Sequence, residues 1–169
     1  MPSAARKLST PVLALNPQLA ELLGEKIRVL FESTFDIDTN VGQFRIESVH
    51  EPKGDIYACL KMVQKEVEGT FIISFTEGLA IDLVSNVYRQ KISEVNDLVK
   101  DAIGEISNIV YASVKSVLNE GIGHDFQLAI PEVFLKGDLT NDTRFVGRTL
   151  IVPINIKGGT FEVFVTIKR

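Results

Sequence analysis

Residues 95–118 read VNDLVKDAIGEISNIVYASVKSVL, and the rest of the chain is arranged around them. Apolar residues fall at Leu98, Val99, Ala102, Ile103, Ile106, Ile109, Val110, Val114 and Val117. That is the i, i+3, i+4, i+7 rhythm of an amphipathic helix, and no proline interrupts it. At about 100° per residue these side chains share a stripe expected to face a core, while Asp101, Glu105, Asn108 and Lys115 gather opposite. Ser93 stands where a cap is needed, and Glu94 and Asp97 suit the positive end of the helix dipole. Gly121 and Gly123 follow closely and can end the helix.

Outward from this helix the elements come in a regular order. Residues 1–15 carry Pro2 and Pro11 with no sustained period and read as an N-terminal arm. Asn16-Pro17, a cap followed by proline at the first helical position, opens a helix that turns Leu19, Leu22, Leu23, Ile27, Leu30, Phe31 and Phe35 inward. Strands are expected over 43–49, 55–64 and 67–75, the last two joined by a tight turn at Lys65-Glu66. Thr76 caps a short helix reaching about Tyr88. Beyond the central helix come strands at 125–130, 145–156 and 160–167, with Lys157-Gly158-Gly159 turning between the last two.

Helix and three strands, then a short helix, then helix and three strands again: the order points to an internal duplication. Gly24-Glu25 and Gly104-Glu105 hold the same place on their helices, 80 positions apart. Gly69-Thr70-Phe71 recurs as Gly159-Thr160-Phe161 at an offset of 90. The ten extra residues fit a loop over 131–144, rich in Gly, Asp, Asn and Thr. The expected fold is α+β, a single domain over 16–169 with pseudo-repeats at about 16–90 and 91–169. Long helices would pack on antiparallel sheet.

Composition removes several classes of function. A 169-residue chain with 45% hydrophobic and 24% charged residues is that of an ordinary globular domain with a real core. A net charge of -4 gives no reason to expect nucleic acid as a partner, since phosphate binding needs a clustered basic surface. No apolar run is long enough to cross a bilayer, and Arg6-Lys7 precede only a short patch broken by Pro11, so no membrane association or signal peptide is expected. The single cysteine, Cys59, fits a reducing cytoplasm and, within YACLKMV, reads as a packed core thiol. His50 and His124 are the only histidines, and without a cysteine pair or His-Glu-x-x-His they make no zinc site. Gly121-Ile122-Gly123 follows a helix and lacks the third glycine of a nucleotide fingerprint. Asp138, Asn141 and Asp142 lack the spacing and bidentate glutamate of a calcium loop.

The polar face of the central helix remains. Asp101, Glu105 and Asn108 stand at i, i+4 and i+7, and a solvated face is the ordinary reading of such a stripe. Two residues argue against it. Asn in an exposed helix interior costs up to roughly 0.7 kcal/mol, and Gly104 about 1 kcal/mol, relative to alanine. A helix that gives up stability on its outer face does so for contact with something.

Asp101-x-x-x-Glu105-x-x-Asn108, then 22 residues, then Pro131, resembles the signature of the CheC/CheX/FliY chemotaxis phosphatases. The resemblance extends from about residue 16 onward and is nearest the CheX branch. The first helix carries Glu25 but has Arg28 where a second motif needs Asn, and His50 replaces the distal proline. That departure implies one active site per chain.

The resemblance implies hydrolysis of the aspartyl phosphate of a phosphorylated CheY-like response regulator. It implies no cofactor and no metal in this chain, with Mg²⁺ supplied by the partner's receiver domain. Glu105 and Asn108 are the implied catalytic residues. Asn108 would hold the attacking water, a task suited to a carboxamide that donates, accepts and never ionises, as glutamine does in small GTPases. Glu105 would pair with the receiver's lysine, and Asp101 and Lys115 would join it in partner binding, with Tyr111 at the border. Pro131 would support the helix from a neighbouring strand end. The competing class is a non-enzymatic response-regulator-binding or flagellar-switch adaptor, which the intact Glu105 and Asn108 pair disfavours. An unrelated use of the fold is a third. The last strand, apolar on both faces at Phe161, Val163, Phe164 and Val165, is either central or paired across a subunit boundary. Similarity to CheX implies a homodimer.

Overall fold

Three asparagine and threonine side chains start the three helices of the described residues. In the computed structural model, which describes residues 15–49, 53–64, 67–122, 129–138 and 146–168, the Asn16 carboxamide accepts from the Leu19 N–H at 2.9 Å and opens α1 (Pro17–Thr34). Thr76 does the same for Leu79 at 3.3 Å, starting α2 (Glu77–Tyr88). The cap of α3 (Asp97–Ile122) is Asn96, which accepts from Val99 at 3.0 Å. The expected cap, Ser93, lies outside the helix, because the chain from 91 to 96 is still irregular. Gly121 does not end α3, which runs on through Ile122.

The strands are β1 (Thr39–Val41), β2 (Arg45–Val49), β3 (Ile56–Gln64), β4 (Val67–Phe75), β5 (Glu132–Leu135), β6 (Val146–Ile156) and β7 (Gly159–Lys168). They form one antiparallel seven-stranded sheet in the order β1-β6-β7-β4-β3-β5, with β2 also pairing β6. With three helices beside it, this is an α+β architecture. β7 is central, hydrogen-bonded to β6 on one side and β4 on the other, which explains its apolar residues on both faces.

Period-two alternation divides the sheet. Ile56, Ala58, Leu60, Phe71, Ile73, Phe75, Leu150, Val152, Ile154, Phe161, Val163 and Val165 meet the buried sides of the helices in one core. Tyr57, Cys59, Ile72, Ile151 and Phe164 form a smaller cluster on the other face, so Cys59 is a packed thiol. Residues 131–144, expected to be loop, contain β5, whose Phe134 lies opposite Tyr57 of β3. Four residues are too few for a period to show above the turn-rich sequence that follows. Residues 129 and 130, expected to end a strand, are not in one. The arm over 1–14, the turn at Lys65-Glu66, residues 125–128, His50, Gly123, His124, Asn141 and Asp142 lie outside the described residues. Among the described residues no helix is long and apolar enough to cross a membrane.

Candidate functional site

α3 packs against α1 and the sheet through Val99, Ala102, Ile103, Ile106, Val110, Val114 and Val117, all buried. Burial of that stripe leaves Asp101, Glu105 and Asn108 exposed on the far side. They span two helical turns, about 10 Å along the axis. Two residues expected in the core stripe are not in it: Leu98 and Ile109 are each 42% exposed. Both sit at the margin of the stripe, close in angle to Glu105, where the sheet does not reach.

The segment before β5 closes the other side. Pro131 and Val133 lie over Gly104, where an added Cβ would stand 3.4 Å from Val133 Cγ2 and 3.9 Å from Pro131 Cγ. The glycine on the outer face therefore makes room for the chain's own strand. An open groove of about 600 Å³ results, lined by Lys100, Asp101, Gly104, Glu105, Asn108, Ile130, Pro131 and Val133. Of the residues singled out in sequence, Asp101, Glu105, Asn108 and Pro131 come together there. Lys115 does not line the groove; it is half-buried two turns beyond Asn108. Tyr111 is not at the border at all. It is fully buried against Phe71, ring centroids 5.4 Å apart, and burial pushes its phenol up to about 12.

Tyr88, the last residue of α2, enters the site without any sequence signal. Its hydroxyl donates to Glu105 Oε2 at 2.5 Å. The hydrogen bond to Glu105 pushes the Tyr88 phenol up to about 12, with burial and the carboxylate charge adding to it. No periodicity links positions 88 and 105, because the bond depends on how α2 lies along α3. Lys100 was missed for the same kind of reason, since its half-buried place beside the groove depends on β5.

On α1, 80 positions earlier, Arg28 stands in the place of Asn108. Its guanidinium bonds Glu25 at 2.5 Å and Glu32 at 2.6 Å, and these bonds raise its pKa further. That face presents an ion cluster in place of an acid and an amide. Among the described residues no three His, Cys, Asp or Glu side chains group as metal ligands.

A family model described as chemotaxis phosphatase CheX matches residues 56–155, a span that includes Tyr88, Asp101, Glu105, Asn108 and Pro131. No curated protein matches significantly in sequence. Among solved structures, the chain is similar to the chemotaxis protein CheX of Vibrio vulnificus, with TM-score 0.71 and 22% identity over 89% of this chain and 99% of that one. A chain of the CheX–CheY–BeF3–Mg²⁺ complex from Borrelia burgdorferi aligns with TM-score 0.69 and 18% identity, over 88% and 97%. FliY of Thermotoga maritima aligns with TM-score 0.65 and 15% identity, over 90% and 92%. At these identities the structural likeness establishes the fold.

Proposed function

We propose, from the premise that the chain belongs to the chemotaxis phosphatase CheX family, that it hydrolyses the aspartyl phosphate of a CheY-like response regulator. One observation carries this reading: Glu105 and Asn108 stand exposed one turn apart on α3, beside Pro131 in one open groove. The Borrelia burgdorferi neighbour, found in complex with CheY, BeF3 and Mg²⁺, supports a receiver domain as the partner.

An acyl phosphate already has a good leaving group and lacks only a water held in line with phosphorus. Charge on the phosphoryl oxygens would be met by a Mg²⁺ ion brought by the receiver. Asn108, on the outside of a rigid helix, projects into the partner's site and holds the attacking water through its amide. Glu105 offers a carboxylate to the receiver's lysine, and Asp101 extends the acidic docking face by one turn. Leu98, Ile109 and Ile130, exposed around the pair, supply the apolar rim that a protein partner can bury. The half-buried Lys115 falls outside this footprint in our reading, and Pro131 acts as a support for α3. The enzyme works in the cytoplasm and as a homodimer. With β7 inside the sheet, a second copy would join at an end of the sheet, beside β5 or β1 and β2.

The test is the decay of a phosphorylated cognate receiver with wild-type protein and with Asn108→Ala. Wild type accelerates decay, and Asn108→Ala lowers that acceleration by about 10²- to 10⁴-fold while binding persists. Phosphorylation-dependent binding without acceleration by wild type would place the chain among adaptors.

A further inference from the structure

A glutamate on an open helix face explores many rotamers, and only some of them aim its carboxylate at an incoming cation. Glu105 is on such a face, yet one of its oxygens is already held. The holder comes from another element: Tyr88 closes α2, and the chain leaves at Arg89 in the left-handed region (φ 51°, ψ 43°). The Arg89 N–H bonds the carbonyls of Asn86 and Ser85, which fixes the turn that carries the tyrosine. We propose that Tyr88 is a positioning residue, its hydroxyl holding Glu105 Oε2 so that Oε1 faces the docking receiver. This inference rests on the functional reading above and adds to it a residue that touches neither phosphate nor water.

The chemistry suits the task. A phenol donating to a carboxylate makes a charge-assisted bond, shorter and stronger than a neutral one. It uses one oxygen and leaves the other with its acceptor sites for an ammonium group. Tyrosine has only two side-chain torsions, so it anchors at little entropic cost. With its phenol pushed up to about 12, Tyr88 remains a donor throughout the physiological range. Preorganisation of this kind improves docking and leaves the water-holding amide alone, so its effect belongs in KM. Asn108 belongs in kcat.

The experiment compares wild type, Tyr88→Phe, Glu105→Ala and the double variant on a phosphorylated receiver, with binding measured separately on the beryllofluoride-loaded receiver. Thermal unfolding verifies that each variant folds. Tyr88→Phe keeps the ring and removes only the hydroxyl. It should raise KM and weaken binding by about 3- to 10-fold, the worth of one net hydrogen bond, with kcat changed by less than about twofold. In the Glu105→Ala background the same change should do nothing further, because the group it positions is gone. Unaltered KM and binding in Tyr88→Phe, an equal loss in the Glu105→Ala background, or a fall confined to kcat overturns the proposal. If wild type itself neither binds the loaded receiver nor accelerates decay, the functional reading fails first and Tyr88 falls with it. Those results are distinguishable from a silent Tyr88→Phe in an active protein.

Discussion

Ser107 and Asn108 are neighbours on α3 with opposite fates. Asn108 points outward, and its helix-propensity cost of up to roughly 0.7 kcal/mol is offset only if the amide has work at the surface. Ser107 points inward and is fully buried, with no hydrogen-bond partner for its Oγ among the described residues. A buried hydroxyl left unpaired costs about 1–3 kcal/mol of desolvation. Ser107→Ala removes that cost and gains helix propensity, so it should raise unfolding free energy by about 1 kcal/mol in denaturant titration. A destabilisation would show that the hydroxyl has a partner after all. Sequence patterning assigned Asn108 to the outer face, because neighbouring positions on a helix point about 100° apart and Asn108 shares the side of Asp101 and Glu105. It could not find the Tyr88 to Glu105 bond, which spans two helices and 17 residues.

Gly24 and Gly104 make the same contrast between elements. Each lets its helix approach a short strand at an end of the sheet: Gly24 against Val41 of β1, Gly104 against Val133 of β5. The approach is tighter on α1, where an added Cβ would come within 2.6 Å of Val41 Cγ1, against 3.4 Å to Val133 on α3. Alanine gains about 1 kcal/mol of helix propensity at either site. At Gly24 that gain meets an overpacking cost of about 1–3 kcal/mol. Gly104→Ala should therefore be more stable than Gly24→Ala by about 1–3 kcal/mol, read from their unfolding midpoints. Equal stability would mean that Val41 yields without strain. The matched glycines were visible in sequence, but their strand partners were not. β1 and β5 have three and four residues, shorter than any pattern that periodicity can separate from loop.

Across the sheet, the order β1-β6-β7-β4-β3-β5 reads alike from both ends when β1 is matched with β5, β6 with β3 and β7 with β4. Two copies of one unit related by a twofold axis between β7 and β4 would produce this order. Assembly is tested by sedimentation. The expected homodimer gives a mass that falls toward 18.7 kDa on dilution, and a concentration-independent monomer removes that claim. The amphipathic stripe of α3, the caps at Asn16 and Thr76, the long alternating strands and the Asp101, Glu105, Asn108 spacing are all local patterns, and local patterns are written in order along the chain. The central place of β7 was one of two options until pairing with β6 and β4 settled it. The burial of Tyr111, the closing of the groove by Pro131 and the arrival of Tyr88 at Glu105 had to wait for packing. Each depends on where a second element, distant in sequence, comes to lie, and the periodicity of one segment carries no information about the other's position.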